Sequence, residues 1–150
     1  MKYELVKAKN ENVEYLKKAK LYNIFSYAKE LPKEEIEKIN KYVDKHIPMQ
    51  LDDYKMIMVD GVVAGCLYVT NKDDGVLLDE IYIEEDYRNQ KIGTNIIKDL
   101  LKNNQVIYLW VYKDNKKAIA LYERLGFEIK EMTDTRLYMK NVRIQTRKVK

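Results

Sequence analysis

The residue types best placed for chemistry lie between Leu77 and Thr94. Leu77-Leu78-Asp79-Glu80-Ile81-Tyr82-Ile83 reads as a strand, and Glu84-Glu85-Asp86 leads from it into Tyr87-Arg88-Asn89-Gln90-Lys91-Ile92-Gly93-Thr94. A strand that ends in a short loop and opens a helix presents unpaired backbone N–H groups at the positive end of the helix dipole, which suits an anion. Gly93 has no Cβ and lets a ligand approach the backbone. Arg88 and Lys91 add positive charge beside it. A pyrophosphate fits this pattern. A solvated helix start fits it too, and the pattern alone does not separate the two. Other reactive types are scarce. His46, the one histidine, closes an amphipathic segment, where a cation suits the dipole. Cys66, the one cysteine, sits mid-strand between Gly65 and Leu67 and reads as a small buried side chain. One of each makes no ligand set, so no metal is expected.

A second segment runs Val111-Tyr112-Lys113-Asp114-Asn115-Lys116-Lys117-Ala118-Ile119-Ala120-Leu121-Tyr122-Glu123-Arg124-Leu125-Gly126-Phe127. Taken with Tyr87 to Thr94, it resembles the GNAT superfamily of acetyl-CoA-dependent N-acetyltransferases. The first segment is similar to that family's coenzyme A pyrophosphate loop: Arg or Gln, two residues, Gly, one residue, then Gly or Ala. Arg88 and Gly93 match its ends, and Lys91 stands where the first glycine is usual. In the second segment Asn115, Ala118, Leu121-Tyr122 and Gly126-Phe127 match the family's other motif, and together the two cover roughly residues 76–128.

The resemblance implies roles. The backbone of Ile81, Tyr82 and Ile83 would hold the pantetheine arm. The loop Arg88, Asn89, Gln90, Lys91, Ile92, Gly93 and Thr94 would hold the pyrophosphate, with Lys117 a further phosphate candidate. Asn115 would bond the pantetheine or steady the strand end. It is equally a helix N-cap, a position for which Asp114 competes. Tyr122, otherwise a core tyrosine, would protonate the leaving thiolate. The acceptor amine must lose a proton to attack. Asp79 matches positions that supply a base in some aminoglycoside and polyamine acetyltransferases, and Glu80 is the second candidate. Strand alternation puts those two on opposite faces, and a solvated strand-end pair is the plainer reading of both. Tyr22, Phe25, Tyr27, Asp52, Asp53 and Tyr54 are candidates for the acceptor pocket, against an ordinary role in core and surface.

The elements that must position these residues follow from periodicity. Tyr3 to Val6 alternates as a strand. Asn10 is expected to cap a first helix carrying Val13, Leu16, Ala19, Ile24 and Ala28, although Leu21 and Phe25 blur its stripe. Pro32 suits the first position of a second helix, whose stripe is Ile36, Ile39, Val43 and Ile47, and Pro48 is expected to end it. Tyr54 to Val59, the turn Asp60-Gly61, Val62 to Val69, the turn Asp73-Asp74-Gly75 and Val76 to Ile83 make a meander. A helix Lys91–Lys102 follows. Val106 to Tyr112 reads as a strand covered on both faces. A helix through Leu125 closes at Gly126, and Phe127 to Glu131 pairs with Arg136 to Lys140. The expected fold is α/β of the GNAT type: a mixed, mostly antiparallel central sheet with helices on both faces. The strands ending at Ile83 and near Tyr112 should be adjacent and parallel, and the coenzyme should enter where they separate.

Composition bounds the rest. The chain has 150 residues, 46% hydrophobic and 35% charged, which suits one globular domain over 1–150 with enough core to fold. Five glycines, two prolines and one cysteine exclude collagen-like, low-complexity and disulfide-stapled classes. The apolar run Val106 to Tyr112 is far short of the roughly 20 residues of a membrane span, and no signal segment opens the chain. A cytoplasmic protein with no membrane partner is therefore expected. The net charge of +4 permits an anionic ligand without pointing to nucleic acid. The basic residues Arg143, Arg147, Lys148 and Lys150 read as a solvated tail over 141–150, and no nucleic-acid partner is expected. The resemblance implies acetyl-CoA as co-substrate, a small-molecule or peptide amine as acceptor, direct transfer in a ternary complex, and allows a homodimer. A non-catalytic acetyl-CoA-binding regulatory module of the same fold is the alternative.

Overall fold

Hydrophobic periodicity and turn chemistry set the elements. The computed structural model describes residues 2–28, 30–104 and 106–141, so the expected tail with Arg143, Arg147, Lys148 and Lys150 lies outside the described residues. The order is β1 (Glu4–Lys7), α1 (Val13–Tyr27), α2 (Lys33–Gln50), β2 (Tyr54–Val59), β3 (Val62–Lys72), β4 (Gly75–Ile83), α3 (Ile92–Asn103), β5 (Ile107–Tyr112), α4 (Lys116–Arg124), β6 (Phe127–Met132) and β7 (Arg136–Asn141). Single 3-10 turns occupy Asn10–Asn12, Leu51–Asp53 and Glu85–Tyr87. The strands form a seven-stranded mixed sheet in the order β1-β2-β3-β4-β5-β7-β6. No helix among the described residues is long and apolar enough to cross a membrane.

The chain divides into two compact units, Met1–Val69 with Glu80–Ile92, and Thr70–Asp79 with Gly93–Lys150. In the first, β1 pairs antiparallel with β2, and β2 with β3. The β2–β3 turn has Asp60 at φ 52° and Gly61 at φ 79°, the two left-handed positions that Asp-Gly supplies in a type I′ hairpin. The core joins Leu16 and Ala19 of α1, Val43 and Ile47 of α2, Tyr54 and Met56 of β2, and Cys66 and Tyr68 of β3. The α2 stripe behaves as its spacing predicts at Val43 and Ile47, both 1% exposed, whereas Ile36 is exposed.

Three expected helix boundaries are corrected. Asn10 does not cap α1: it opens a 3-10 turn, and the side chain of Asn12 instead accepts from the Lys9 backbone N–H at 2.8 Å. Pro32 is the N-cap of α2 rather than its first residue, with an extended ψ of 153°. Pro48 does not end α2, which runs on to Gln50. In the last turn a proline removes one N–H bond and crowds one carbonyl, a local cost that the seating of Val43 and Ile47 in the core outweighs.

In the second unit, β4 and β5 pair in parallel over Val76–Leu78 and Ile107–Leu109. β5 and β6 each pair antiparallel with β7. The expectation that β5 is covered on both faces is corrected: Ile107, Leu109 and Val111 are buried, but Tyr108, Trp110 and Tyr112 are only half-buried. Aromatic rings read as apolar in sequence and hid a period-2 alternation. Asn115 caps α4, and Gly126 takes φ 97° just beyond it.

Gly65 is required by contact rather than by φ. A Cβ there would collide with the carbonyl oxygen of Tyr82 and lie 3.1 Å from Ile83 Cα, both backbone atoms of β4. Gly65→Ala is therefore expected to lower unfolding stability by about 3 kcal/mol. Urea denaturation measures this, and a loss under about 0.5 kcal/mol would contradict the contact.

Candidate active site

The last residues of β4 and the residue just beyond it alternate, so Glu80, Tyr82 and Glu84 share one side of the chain, and α1 side chains meet all three. The Glu80 side chain is only 4% exposed. Its Oε1 accepts from Tyr54 Oη at 2.7 Å and lies 3.4 Å from Lys20 Nζ, and its Oε2 accepts from Asn23 Nδ2 at 2.9 Å. A buried carboxylate is tolerated only when its oxygens are bonded and its charge is met, and here both conditions hold. Burial, then the Glu80 charge and hydrogen bond, push the Tyr54 phenol far above its usual range. Burial, then the charges of Glu80 and Glu84, likewise push up the Cys66 thiol, which fits an inert core cysteine. Tyr15 Oη donates to Glu84 Oε2, and burial together with that bond raises the Tyr15 phenol. The Tyr82 ring stands edge-on to Tyr15 at 6.3 Å and to Tyr22 at 5.4 Å between centroids.

Arg88 folds back onto this cluster. Its Nε donates to the Ile83 carbonyl at 2.8 Å, its Nη1 to Tyr22 Oη at 3.4 Å, and its guanidinium lies 5.3 Å from the Tyr22 ring centroid and 5.7 Å from that of Tyr82. The loop beyond turns through two left-handed residues, Asn89 at φ 61° and Lys91 at φ 68°. Gln90 Nε2 donates to the Asp86 carbonyl at 2.9 Å and ties the loop to its own 3-10 turn. Ile92, 1% exposed, anchors the start of α3. Around Gly93 the space is open: a Cβ there would meet nothing within 4 Å. The first turn of α3 thus offers an approachable backbone with the positive end of its dipole, as an anion site needs. Thr94 in the same turn is half-buried.

The other expected residues fall as follows. Asp79 is half-buried and Glu80 buried, as alternation requires. Asn115, not Asp114, takes the cap of α4: its Oδ1 accepts from the Ala118 N–H at 3.2 Å. Lys117 is exposed in the first turn of α4. Tyr122 is 7% exposed, with its ring centroid 5.9 Å from that of Phe127. His46 does not end α2: it lies a turn earlier, where Nδ1 meets the Tyr42 carbonyl at 2.9 Å and the ring stacks on Tyr42. Of the pocket candidates, Tyr22 and Phe25 line a shallow apolar depression of about 370 Å³ on α1 with Lys18, Leu21 and Ser26. Tyr54 is wholly buried and lines no open surface, and Asp52 is an exposed partner of Lys7 at 3.9 Å. Sequence reasoning missed Tyr15, Lys20, Asn23 and Glu84. The available signal was the blurred stripe of α1: a helix whose inner side carries tyrosines, a lysine and an asparagine has polar groups to meet.

The model of the acetyltransferase (GNAT) family matches residues 19–127. An uncharacterized N-acetyltransferase of Methanocaldococcus jannaschii is 35% identical over 78 residues, 47% of this chain and 34% of that protein. The spermine/spermidine N(1)-acetyltransferase of Bacillus subtilis is 34% identical over 64 residues, 39% of this chain and 42% of that one. These matches thus span less than half of the relatives' own length. The crystal structure of PaiA N-acetyltransferase from Thermoplasma acidophilum in complex with coenzyme A aligns with a TM-score of 0.73, over 95% of this chain and 100% of that one, at 19% identity. That likeness shows the fold.

Lys91 occupies a backbone conformation that costs an L-residue about 1–2 kcal/mol. Lys91→Gly is expected to raise stability by up to about 1 kcal/mol, because the relief exceeds the added entropy of an unfolded glycine. A lowered thermal midpoint in this variant would show that the lysine side chain contributes more than its backbone costs.

Proposed function

Because the chain belongs to the acetyltransferase (GNAT) family, we propose that it moves an acetyl group from acetyl-CoA to a primary amine by direct transfer. The observation that best supports this reading is the turn from β4 into α3, with open space at Gly93 and the left-handed backbone of Lys91 just before it. The fit is to a pyrophosphate: backbone N–H groups of Lys91 to Thr94 face it at the helix start, and Lys91 and Lys117 supply charge. Arg88 reaches it only by leaving the Ile83 carbonyl and the Tyr22 and Tyr82 rings, so its proposed phosphate contact requires a new rotamer. Asn89 and Gln90 shape the loop. The Asn115 side chain is engaged in capping α4, and its proposed contribution is to fix the strand end beside it.

Acetyl-CoA, when bound, supplies the activated acetyl group as a thioester. Backbone N–H groups of Ile81 to Ile83 polarise its carbonyl as an oxyanion hole does. Asp79 or Glu80 was expected as the base. Glu80 is saturated by Tyr54, Asn23 and Lys20, so taking a proton there would break a contact already made. Tyr122 protonates the departing thiolate. The acceptor is an amine, small or peptidic, and the protein works in aqueous solution as a cytoplasmic enzyme.

Thermal unfolding with acetyl-CoA tests the coenzyme site, with ATP and NAD as controls. At 100 times the dissociation constant the ligand should add about 2.7 kcal/mol, or about 5–10 °C in midpoint. Gly93→Ala should fold as well as the parent, because its Cβ meets nothing, yet bind acetyl-CoA about 10-fold more weakly. No shift with the parent chain at millimolar acetyl-CoA would sink the reading. Tyr122→Phe should lower turnover about 100-fold while leaving the acetyl-CoA shift intact. Unchanged thiol release by this variant removes Tyr122 from the mechanism.

A further inference from the structure

We propose that the proton leaving the acceptor amine passes through the Tyr15 phenol to Glu84, and that Glu80 serves only to hold α1 against β4; this rests on the acetyl-transfer reading above. Three carboxylates stand at the end of β4, and the structure distinguishes two of them sharply. Glu80 has both oxygens bonded and a lysine ammonium beside it, so taking a proton would sacrifice a contact already made. Glu84 is half-buried, and the phenol of Tyr15 is the group that bonds its carboxylate. Its backbone is fixed by the bond from Glu84 N–H to the Ala64 carbonyl at 2.7 Å, so the carboxylate sits on rigid chain one residue beyond β4.

The other ionisable neighbours favour the same division. Around Tyr15 and Glu84 stand Cys66 of β3 and Tyr82 of β4, with Arg88 over the Tyr82 ring and the Lys20–Glu80 pair a step further. Burial keeps the Cys66 thiol and the Tyr82 phenol protonated, and the Tyr15 phenol is raised by burial and then by its bond to Glu84. Tyr15 therefore passes a proton on but never stores the charge. As the ammonium N–H bond breaks, its proton goes to Tyr15 Oη while the Tyr15 Oη–H proton goes to Glu84 Oε2. Tyr15 ends neutral, Glu84 ends protonated, and the amine is free to form its bond to the thioester carbon as the C–S bond breaks. The amide nitrogen then loses its second proton to water, the Tyr122 Oη–H proton goes to the thiolate, the Tyr122 phenolate takes a proton back from water, and Glu84 returns its own to water. Tyr15 is the group that touches the amine, and Glu84 acts through it.

The test is the pH dependence of acetyl-CoA thiol release between about pH 6 and 9.5 with spermidine, n-butylamine and glycinamide as acceptors, for the parent chain, Tyr15→Phe, Glu84→Gln and Glu85→Gln. At pH 7 kcat/KM of Tyr15→Phe and Glu84→Gln should fall about 100-fold, and the deficit should shrink to less than about 10-fold at the alkaline end, where the amine needs less help. Glu85→Gln, an exposed neighbour, should be unchanged. A merely structural loss would give the same deficit at every pH. Parent-like rates at pH 7 in both Tyr15→Phe and Glu84→Gln, or a pH-independent deficit, overturns the relay. If the parent chain releases no thiol with any of the three amines although acetyl-CoA raises its thermal midpoint, the acetyl-transfer reading falls and the relay with it. Transfer by the parent with a flat deficit in the variants removes the relay alone.

Discussion

A single carboxylate, that of Glu80, sets the constraints on the N-terminal unit. It is almost wholly removed from water, and an unpaired charge there would be prohibitive. Three side chains from two elements answer it: Tyr54 from β2, and Lys20 and Asn23 from α1. The same contacts that satisfy the charge fix how α1 lies along the end of β4. Replacing such a cluster with apolar side chains is often harmless to stability, so its presence points to placement rather than to added stability. What it places is the tyrosine side of α1, where Tyr15 meets Glu84 and Tyr22 meets Tyr82 and Arg88.

The loop after β4 has the opposite character. It turns through left-handed residues at Asn89 and Lys91, is tied by the Gln90 side chain to the Asp86 carbonyl, and has a buried isoleucine at the start of α3 and free space at Gly93. Strain of this kind persists where the surroundings over-determine the chain. The acetyltransferase (GNAT) family model matches residues 19–127, a span that includes this loop. Two glycines show how differently the residue is used: Gly65 is forced by a backbone neighbour, whereas a Cβ at Gly93 would meet nothing within 4 Å among the described residues.

Legibility in the sequence followed the range of the interactions. β2, the Asp60-Gly61 hairpin, α4 and its closing Gly126 were readable because period, turn dipeptide and cap are local. Asn10 and Pro48 misled for different reasons: Asn12 makes the local bond to the Lys9 N–H that Asn10 was expected to replace with a cap, and at Pro48 the packing of Val43 and Ile47 overrode a local preference. The partners of the β4 end could not be read at all. Tyr15 and Glu84 are 69 residues apart, Asn23 and Glu80 57, and Tyr54 and Glu80 26. Nothing in α1 by itself says which of its polar residues will face a buried carboxylate.

The sequence by itself determined the order of strands and helices, the two motif segments, and hence the family to which the chain belongs. Those follow from side-chain period, from turn residues and from spacing within single stretches. Only the tertiary structure decided that Glu80 is a saturated structural charge, that Arg88 is folded back on two tyrosines, and that Glu84 and Tyr15 form a pair. The physical reason is that a carboxylate is a base, an anchor or a surface charge according to its solvation and its donors, and both are supplied by residues distant in sequence.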